Sequence, residues 1–225
     1  MNVQQLFEPD PYVSQRLAMV EDQLRRRGIH DQRVLRVMEE VPRHEFIPEL
    51  DRRWAYRDQP VPIGEDQTIS QPYIVAVMTQ FLSVEPENRA LEVGTGTGYQ
   101  AAVLSRLAAQ VYTIERHATL AERAEEIFRR IGYQNIHVVV GDGTRGLPDH
   151  APYDRILVAA AAPGVPPPLL EQLSERGRMI IPVGSSDTQV LQLLRKSQGE
   201  VFTSNLEGCR FVPLIGEGGF PARNS

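Results

Sequence analysis

The sequence predicts an α/β protein: a mostly parallel, twisted sheet with helices on both faces, an antiparallel edge and a helical N-terminal extension. Three observations predict it. From Ala90 to Val183, apolar runs of strand length alternate with amphipathic stretches at helix spacing, the pattern of parallel strands joined by crossover helices. Before that block, apolar residues recur at helix spacing. After it come short apolar runs separated by glycine-containing turns, which read as antiparallel edge strands.

Taken in order, Val13, Leu17, Val20 and Leu24 share one helical face, and Gly28 behind Arg25-Arg26-Arg27 marks the helix end. A second helix starts after Asp31 and aligns Val34, Met38 and Val41 before Pro42 stops it. Tyr56 to Ser70 contains Pro60, Pro62 and Gly64 and reads as an irregular segment. A helix follows from Pro72 to Leu82, with Val75, Met78 and Leu82 inward. The alternating block then predicts strand Ala90–Val93, helix Gln100–Ala108, strand Val111–Glu115, helix Ala118–Ile131 and strand His137–Val140. Strand Arg155–Ala160, a helix containing Leu169–Leu173 and strand Met179–Val183 complete it. The tail supplies strands at Gln189–Arg195, Glu200–Asn205 and Arg210–Leu214. With no internal repeat and no linker, residues 1–60 are expected to pack as an extension on a core of residues 61–225, one domain overall.

The 225 residues carry 24 Lys+Arg against 29 Asp+Glu, a net charge of −5. That balance argues against nucleic acid as a partner, whose backbone needs a basic face. The longest apolar run, Ile156–Ala162, is far short of the ~20 residues that a membrane-crossing helix needs. No basic-then-apolar leader opens the chain. A sole cysteine, Cys209, excludes an internal disulfide and a multi-cysteine zinc site. The expectation is a cytoplasmic monomer with no metal, no membrane and no nucleic-acid partner.

The most informative stretch is Leu91-Glu92-Val93-Gly94-Thr95-Gly96-Thr97-Gly98-Tyr99. A strand runs into a turn with glycine at every second position, where a ligand can approach the backbone closely. A dinucleotide-binding turn would place its last glycine where Tyr99 stands, and no Gly-Lys-Ser/Thr follows to make a P-loop. Glu115 ends the next strand, about twenty residues on, where a carboxylate can accept both ribose hydroxyls of an adenosine. Asp142, followed by Gly143, closes the strand after that and could meet an adenine edge. With Glu92, these residues make an acidic crevice that lacks the Lys and Arg a pyrophosphate would want. An acidic edge suits a cationic nucleoside such as S-adenosylmethionine. The pattern resembles the cofactor half of Rossmann-like S-adenosylmethionine-dependent methyltransferases.

After the fourth strand, amine methyltransferases often carry Asn/Asp-Pro-Pro-Tyr/Phe. Here the chain reads Val158-Ala159-Ala160-Ala161-Ala162-Pro163-Gly164-Val165-Pro166, which disfavours an adenine or glutamine acceptor. Upstream, Ser70 or Gln71 before Pro72 reads as ordinary helix-capping chemistry, and a helix start with a hydroxyl donor also suits an anion.

The run Gly64-Glu65-Asp66-Gln67-Thr68-Ile69-Ser70-Gln71-Pro72-Tyr73, with Leu91–Gly98 and Gly141–Gly143, resembles the protein-L-isoaspartate (D-aspartate) O-methyltransferase family. Val41-Pro42-Arg43-His44-Glu45-Phe46-Ile47-Pro48 and Arg210-Phe211-Val212-Pro213-Leu214-Ile215-Gly216 extend the resemblance over nearly the whole chain. The resemblance implies a repair enzyme that methylates the free α-carboxylate of isoaspartyl residues in damaged proteins. It also implies Ser70 as the catalytic residue, and cofactor contacts from Gln67, Thr68, Ile69, Ser70, Gly94, Thr95, Gly96, Glu115, Asp142 and Gly143. Two positions depart from it: some relatives have histidine at Val75 and threonine at Ile215.

Such a reaction needs few groups. A peptide α-carboxyl has a pKa of about 3.5, so the nucleophile is already ionised at neutral pH. No general base is required, and His30, His44, His117, His137 and His150 all read as surface or satisfied histidines. Ser70 would orient one carboxylate oxygen through a charge-assisted hydrogen bond. The rival readings are a methyltransferase for small carboxylates, a non-catalytic binder of damaged proteins and a nicotinamide oxidoreductase.

Overall fold

In the computed structural model, which describes residues 10–222, the N-terminal helix does not keep a single pitch. The first nine residues of the expected extension lie outside the described residues. Helix α1 (Val13–Ala18) widens into a π-helical turn at Met19–Leu24, tightens to a 3-10 turn at Arg25–Arg27, and ends at Gly28 with φ 95°. The change of pitch rotates the buried stripe. Met19, Val20 and Leu24 are buried, whereas Val13 and Leu17, expected inward, are exposed. Arg16 takes the inward position instead, donating to the Glu39 carbonyl and to the Tyr56 hydroxyl. Helix α2 (Gln32–Glu40) follows the predicted form: Asp31 caps it by accepting the Arg33 N–H, and Val34, Leu35, Val37 and Met38 are buried.

The segment expected to be irregular contains a hairpin. Strands β1 (Val61–Gly64) and β2 (Gln67–Ile69) pair antiparallel through Glu65 and Asp66, at φ 52° and 54°. Two left-handed central residues make the type I′ turn that suits strand twist. Pro62 is tolerated because a two-stranded ribbon leaves an open edge for a residue without an N–H. Helix α3 (Pro72–Leu82) comes next, with Val75, Met78 and Leu82 buried as the spacing predicts.

Strand β3 (Arg89–Val93), helix α4 (Tyr99–Ser105), strand β4 (Gln110–Glu115), helix α5 (Ala118–Ile131) and strand β5 (Ile136–Val140) form the first wing. Strand β6 (Tyr153–Val158), the short helix α6 (Pro167–Glu171) and strands β7 (Leu173–Gly184), β8 (Gln189–Ser197) and β9 (Glu200–Cys209) form the second. The sheet order is β5-β4-β3-β6-β7-β8-β9, parallel from β5 to β7 and antiparallel beyond. The chain starts at β3, works outward to β5 and returns to β6 on the other side of β3. That reversal opens a crevice at the carboxyl ends of the strands.

Two elements differ from expectation. β7 starts at Leu173, inside the expected helix, and is irregular between its pairings with Tyr153 and Arg155, where Arg176 has φ 64°. Among the described residues Arg210–Leu214 joins no ladder. It makes a single bridge, with Ala161 donating to the Val212 carbonyl and Leu214 to the Ala161 carbonyl. Pro213, at the centre of that bridge, has no N–H with which to extend it.

The core lies on both sides of the sheet, as alternating strand residues require. On one face Ala90 packs in a cluster with Met38, Phe46, Met78, Tyr99 and Val103, so the extension and α3 share a core with the sheet. On the other, Leu91 and Val93 pack with Ile156, Val158, Met179 and Ile181.

Candidate active site

At the crevice the glycine turn follows β3. Gly94, Gly96 and Gly98 have φ of 94°, 52° and 90°, and a Cβ at Gly98 would stand 2.4 Å from the Phe128 ring. At Gly98 the chain therefore needs glycine for both conformation and space. Just before the turn, Glu92 is fully buried. Thr113 Oγ1 donates to Glu92 Oε2 at 2.5 Å, and Thr95 Oγ1 lies 2.7 Å from Thr113 Oγ1. Because Thr113 spends its one proton on Glu92, Thr95 must donate to Thr113. Among the described residues Glu92 Oε1 has no partner. Burial pushes the Glu92 carboxyl up to about 8, against the hydrogen bond from Thr113.

Glu115, at the end of β4, is nearly buried and already positioned. Its Oε2 accepts the Gly96 N–H at 2.9 Å and its Oε1 the His117 N–H at 3.0 Å. Each oxygen retains a second lone pair for a ligand. Asp142 behaves differently. Its Oδ1 accepts from the Thr144 N–H and hydroxyl, and its Oδ2 accepts the Glu217 N–H at 2.9 Å. Burial would raise this carboxyl, but the bonds from Glu217 and Thr144, with Arg145 nearby, hold it below the usual carboxylate range.

Ser70 follows β2 and precedes α3. The helix cap falls on Gln71, which makes no side-chain cap bond, and Asp58 Oδ1 accepts the Tyr73 N–H instead. The capping role expected of Ser70 is therefore filled by another residue. Among the described residues the Ser70 hydroxyl has no hydrogen-bond partner, while its carbonyl accepts from Arg43 Nη2 at 2.7 Å.

One cleft brings together ten of the eleven expected residues: Gln67, Thr68, Ile69, Ser70, Glu92, Gly94, Thr95, Gly96, Glu115 and Gly143. The eleventh, Asp142, lines an adjoining cavity with Thr144, Arg145 and Glu217. A second groove of about 960 Å³ runs past Arg27, Tyr73 and Asp187. It shares Thr68, Ser70, Ala159, Phe211, Val212 and Pro213 with the cleft. Ser70 thus stands on the wall between a narrow pocket and a broad, open surface.

Three contributors lie outside the eleven expected site residues. Phe211–Ile215 lines the cleft, and its Phe-Val-Pro-Leu run reads locally as an edge strand. His117 also lines it, with a buried Nε2 that has no partner among the described residues; its position two residues after Glu115 was the available signal. Arg43 reaches Ser70 from the extension, and no local pattern announces that contact. Val75 and Ile215, the two departures from the resemblance, both line the cleft.

A family model described as protein-L-isoaspartate(D-aspartate) O-methyltransferase matches residues 14–219. The chain belongs to that family. A protein-L-isoaspartate O-methyltransferase of Roseiflexus sp. (strain RS-1) is 55% identical over 205 residues, covering 91% of this chain and 94% of the relative. One from Methanoculleus marisnigri is 54% identical over 214 residues, covering 95% and 97%. Among solved structures, a protein-L-isoaspartate O-methyltransferase superposes with a TM-score of 0.80 at 29% identity, covering 92% of this chain and 67% of the other. A Plasmodium falciparum structure, named as a beta-aspartate methyltransferase in complex with S-adenosyl-L-homocysteine, superposes at 0.78 with 28% identity, covering 89% and 98%. The family uses S-adenosylmethionine, and the cleft suits such a ligand: an orphaned buried Glu92 oxygen and a positioned Glu115 face a turn kept open by glycine. Among the described residues no helix is long and apolar enough to cross a membrane.

Proposed function

We propose that this chain transfers a methyl group from S-adenosylmethionine to the free α-carboxylate of L-isoaspartyl residues in proteins, with Ser70 holding the acceptor. The observation that carries this reading is the Ser70 hydroxyl. Among the described residues it is unpaired, and Ser70 stands on the wall shared by the acidic cleft and the open groove. When bound, the cofactor supplies an electrophilic methyl on a cationic sulfur.

The chain's own residues do the rest. Glu115, fixed by the Gly96 and His117 N–H groups, is oriented to receive ribose hydroxyls. Glu92 lines the cleft, and a cationic ligand there would favour its ionised form, leaving Oε1 to accept from a donor group of that ligand. Gln67, Thr68 and Ile69 form one wall, Gly94, Thr95 and Gly96 another, and Gly143 a third. Asp142 acts through structure, tying the loop at Glu217 beside the site. Ser70 donates to one carboxylate oxygen and turns the other toward the methyl. Alignment of this kind is worth roughly 7–11 kcal/mol in favourable cases. No residue needs to remove a proton, because the acceptor arrives ionised. In the substrate the neighbouring amide nitrogen then attacks the methyl ester carbonyl and methanol leaves, giving a succinimide that water reopens partly to aspartate.

A groove of about 960 Å³ beside Ser70 favours a polypeptide over a small carboxylate as the acceptor. The helical extension through residue 60 and the core from residue 61 act as one unit in this reading, working as a cytoplasmic monomer on isoaspartyl-containing proteins. The test is labelled-methyl transfer to two peptides of equal composition, one isoaspartyl and one aspartyl. Label is expected in the isoaspartyl peptide alone, as a base-labile ester; equal labelling of both would refute the substrate assignment.

A further inference from the structure

We propose that Arg43, a residue of the N-terminal extension, is a positioning residue for the acceptor carboxylate, fixing Ser70 through its carbonyl and setting a buried positive charge behind it. The proposal rests on the reading of Ser70 as the acceptor's donor. Arg43 is completely buried. Its Nη2 donates to the Ser70 carbonyl at 2.7 Å and its Nε to the Ala55 carbonyl at 2.8 Å. Its guanidinium carbon lies 4.7 Å from the centre of the Tyr99 ring. Tyr99 opens α4 directly after the glycine turn and lines the cleft. One planar group therefore spaces Ser70 from the turn.

The charge is the second observation. Among the described residues no carboxylate lies within ion-pair distance of Arg43, and its buried Nη1 has no acceptor. Asp58, which favours the charge from nearby, is itself paired with Arg27. Burial lowers the guanidinium pKa to about 10, so it remains cationic at neutral pH. Stability alone would favour an apolar side chain in such a place. Function gives the charge a use. The cleft carries the Glu115 carboxylate by the glycine turn and Arg43 behind Ser70. That polarity matches a cationic donor facing an anionic acceptor, and a dry interior transmits it with little screening.

The test compares wild type, Arg43→Met and Arg43→Lys. Arg43→Met is expected to raise KM for an isoaspartyl peptide about tenfold and lower kcat severalfold, with the S-adenosylmethionine Kd within about twofold of wild type. Arg43→Lys keeps the charge but loses the fork, so KM should return to within about threefold of wild type while kcat stays low. A peptide whose α-carboxylate is replaced by an amide serves as the charge probe, assayed as a competitive inhibitor. Preference for carboxylate over amide should shrink about tenfold in Arg43→Met and persist in Arg43→Lys. An unchanged preference in Arg43→Met, or peptide KM and cofactor Kd worsening in parallel, would overturn the proposal. If Arg43→Met does not fold, Arg43→Lys decides: lost preference or wild-type kcat refutes. Failure of the functional reading is seen separately, as wild-type protein that leaves the isoaspartyl peptide unmethylated.

Discussion

Replacing Glu92 by glutamine should flatten the pH dependence of stability in the ligand-free protein. In the unfolded chain this carboxyl titrates near its ordinary 4.5, and in the folded protein near 8. Below pH 4.5 both states hold the proton and the group contributes nothing. Between about 4.5 and 8 the folded state binds one more proton than the unfolded state, so stability falls as pH rises, by about 1.4 kcal/mol per pH unit. Above pH 8 the carboxyl is ionised in both states, and the accumulated cost is roughly 5 kcal/mol. For a chain of this length, 1 kcal/mol corresponds to about 2–4 °C in Tm. Glu92→Gln keeps the shape, can still accept from Thr113 and never ionises. Its Tm, relative to wild type, should therefore rise by roughly 10 °C between pH 5 and pH 8. The assay is calorimetric melting of both proteins across that range without ligand. Parallel Tm curves would show that Glu92 is not the buried, proton-holding group described here.

Four further outcomes follow from the geometry. Ser70→Ala should cut kcat/KM for an isoaspartyl peptide by roughly 10- to 150-fold, the range of a hydrogen bond to a charged group, with cofactor affinity by calorimetry unchanged. Glu115→Ala removes the acceptor for the Gly96 and His117 N–H groups and should weaken S-adenosylmethionine binding by about 1–3 kcal/mol, read as Kd. Gly98→Ala combines a left-handed backbone with a 2.4 Å approach to Phe128 and should destabilise by roughly 2–5 kcal/mol in denaturant unfolding. Gly132→Ala, at φ 86° with nothing within 4 Å, should cost only about 1–2 kcal/mol.

Much of this molecule is legible residue by residue because its strongest signals are local. The alternation of strand and helix from Ala90 onward lies within single elements, and so does the glycine turn, whose conformation its own residues dictate. What escaped the sequence depends on contacts across the chain or on unusual local chemistry. The β1–β2 turn uses Glu65-Asp66 in place of Asn-Gly, with Pro60 and Pro62 beside it, so its hairpin signal is weak. The π-helical turn of the extension displaces Val13 and Leu17 from the core, and 3.6-residue periodicity cannot anticipate it. The Asp142 carboxylate turns toward Glu217, 75 residues later in the chain. Arg43 meets Ser70 across 27 residues. Phe211–Ile215 has the composition of a strand, but among the described residues it makes only isolated bridges, at Pro213 and Ile215, and it lines the cleft instead.

In the proposed function the acceptor reaches the cleft already ionised, so that Ser70 aligns it and no residue deprotonates it. Single-turnover methyl transfer to an isoaspartyl peptide, at saturating cofactor and peptide, tests this most directly when followed against pH. The rate is expected to be flat from about pH 6 to pH 8, since an α-carboxyl with a pKa of about 3.5 is ionised throughout. A rate that climbs about tenfold per pH unit across that window would mean that a base must act first, and would contradict it.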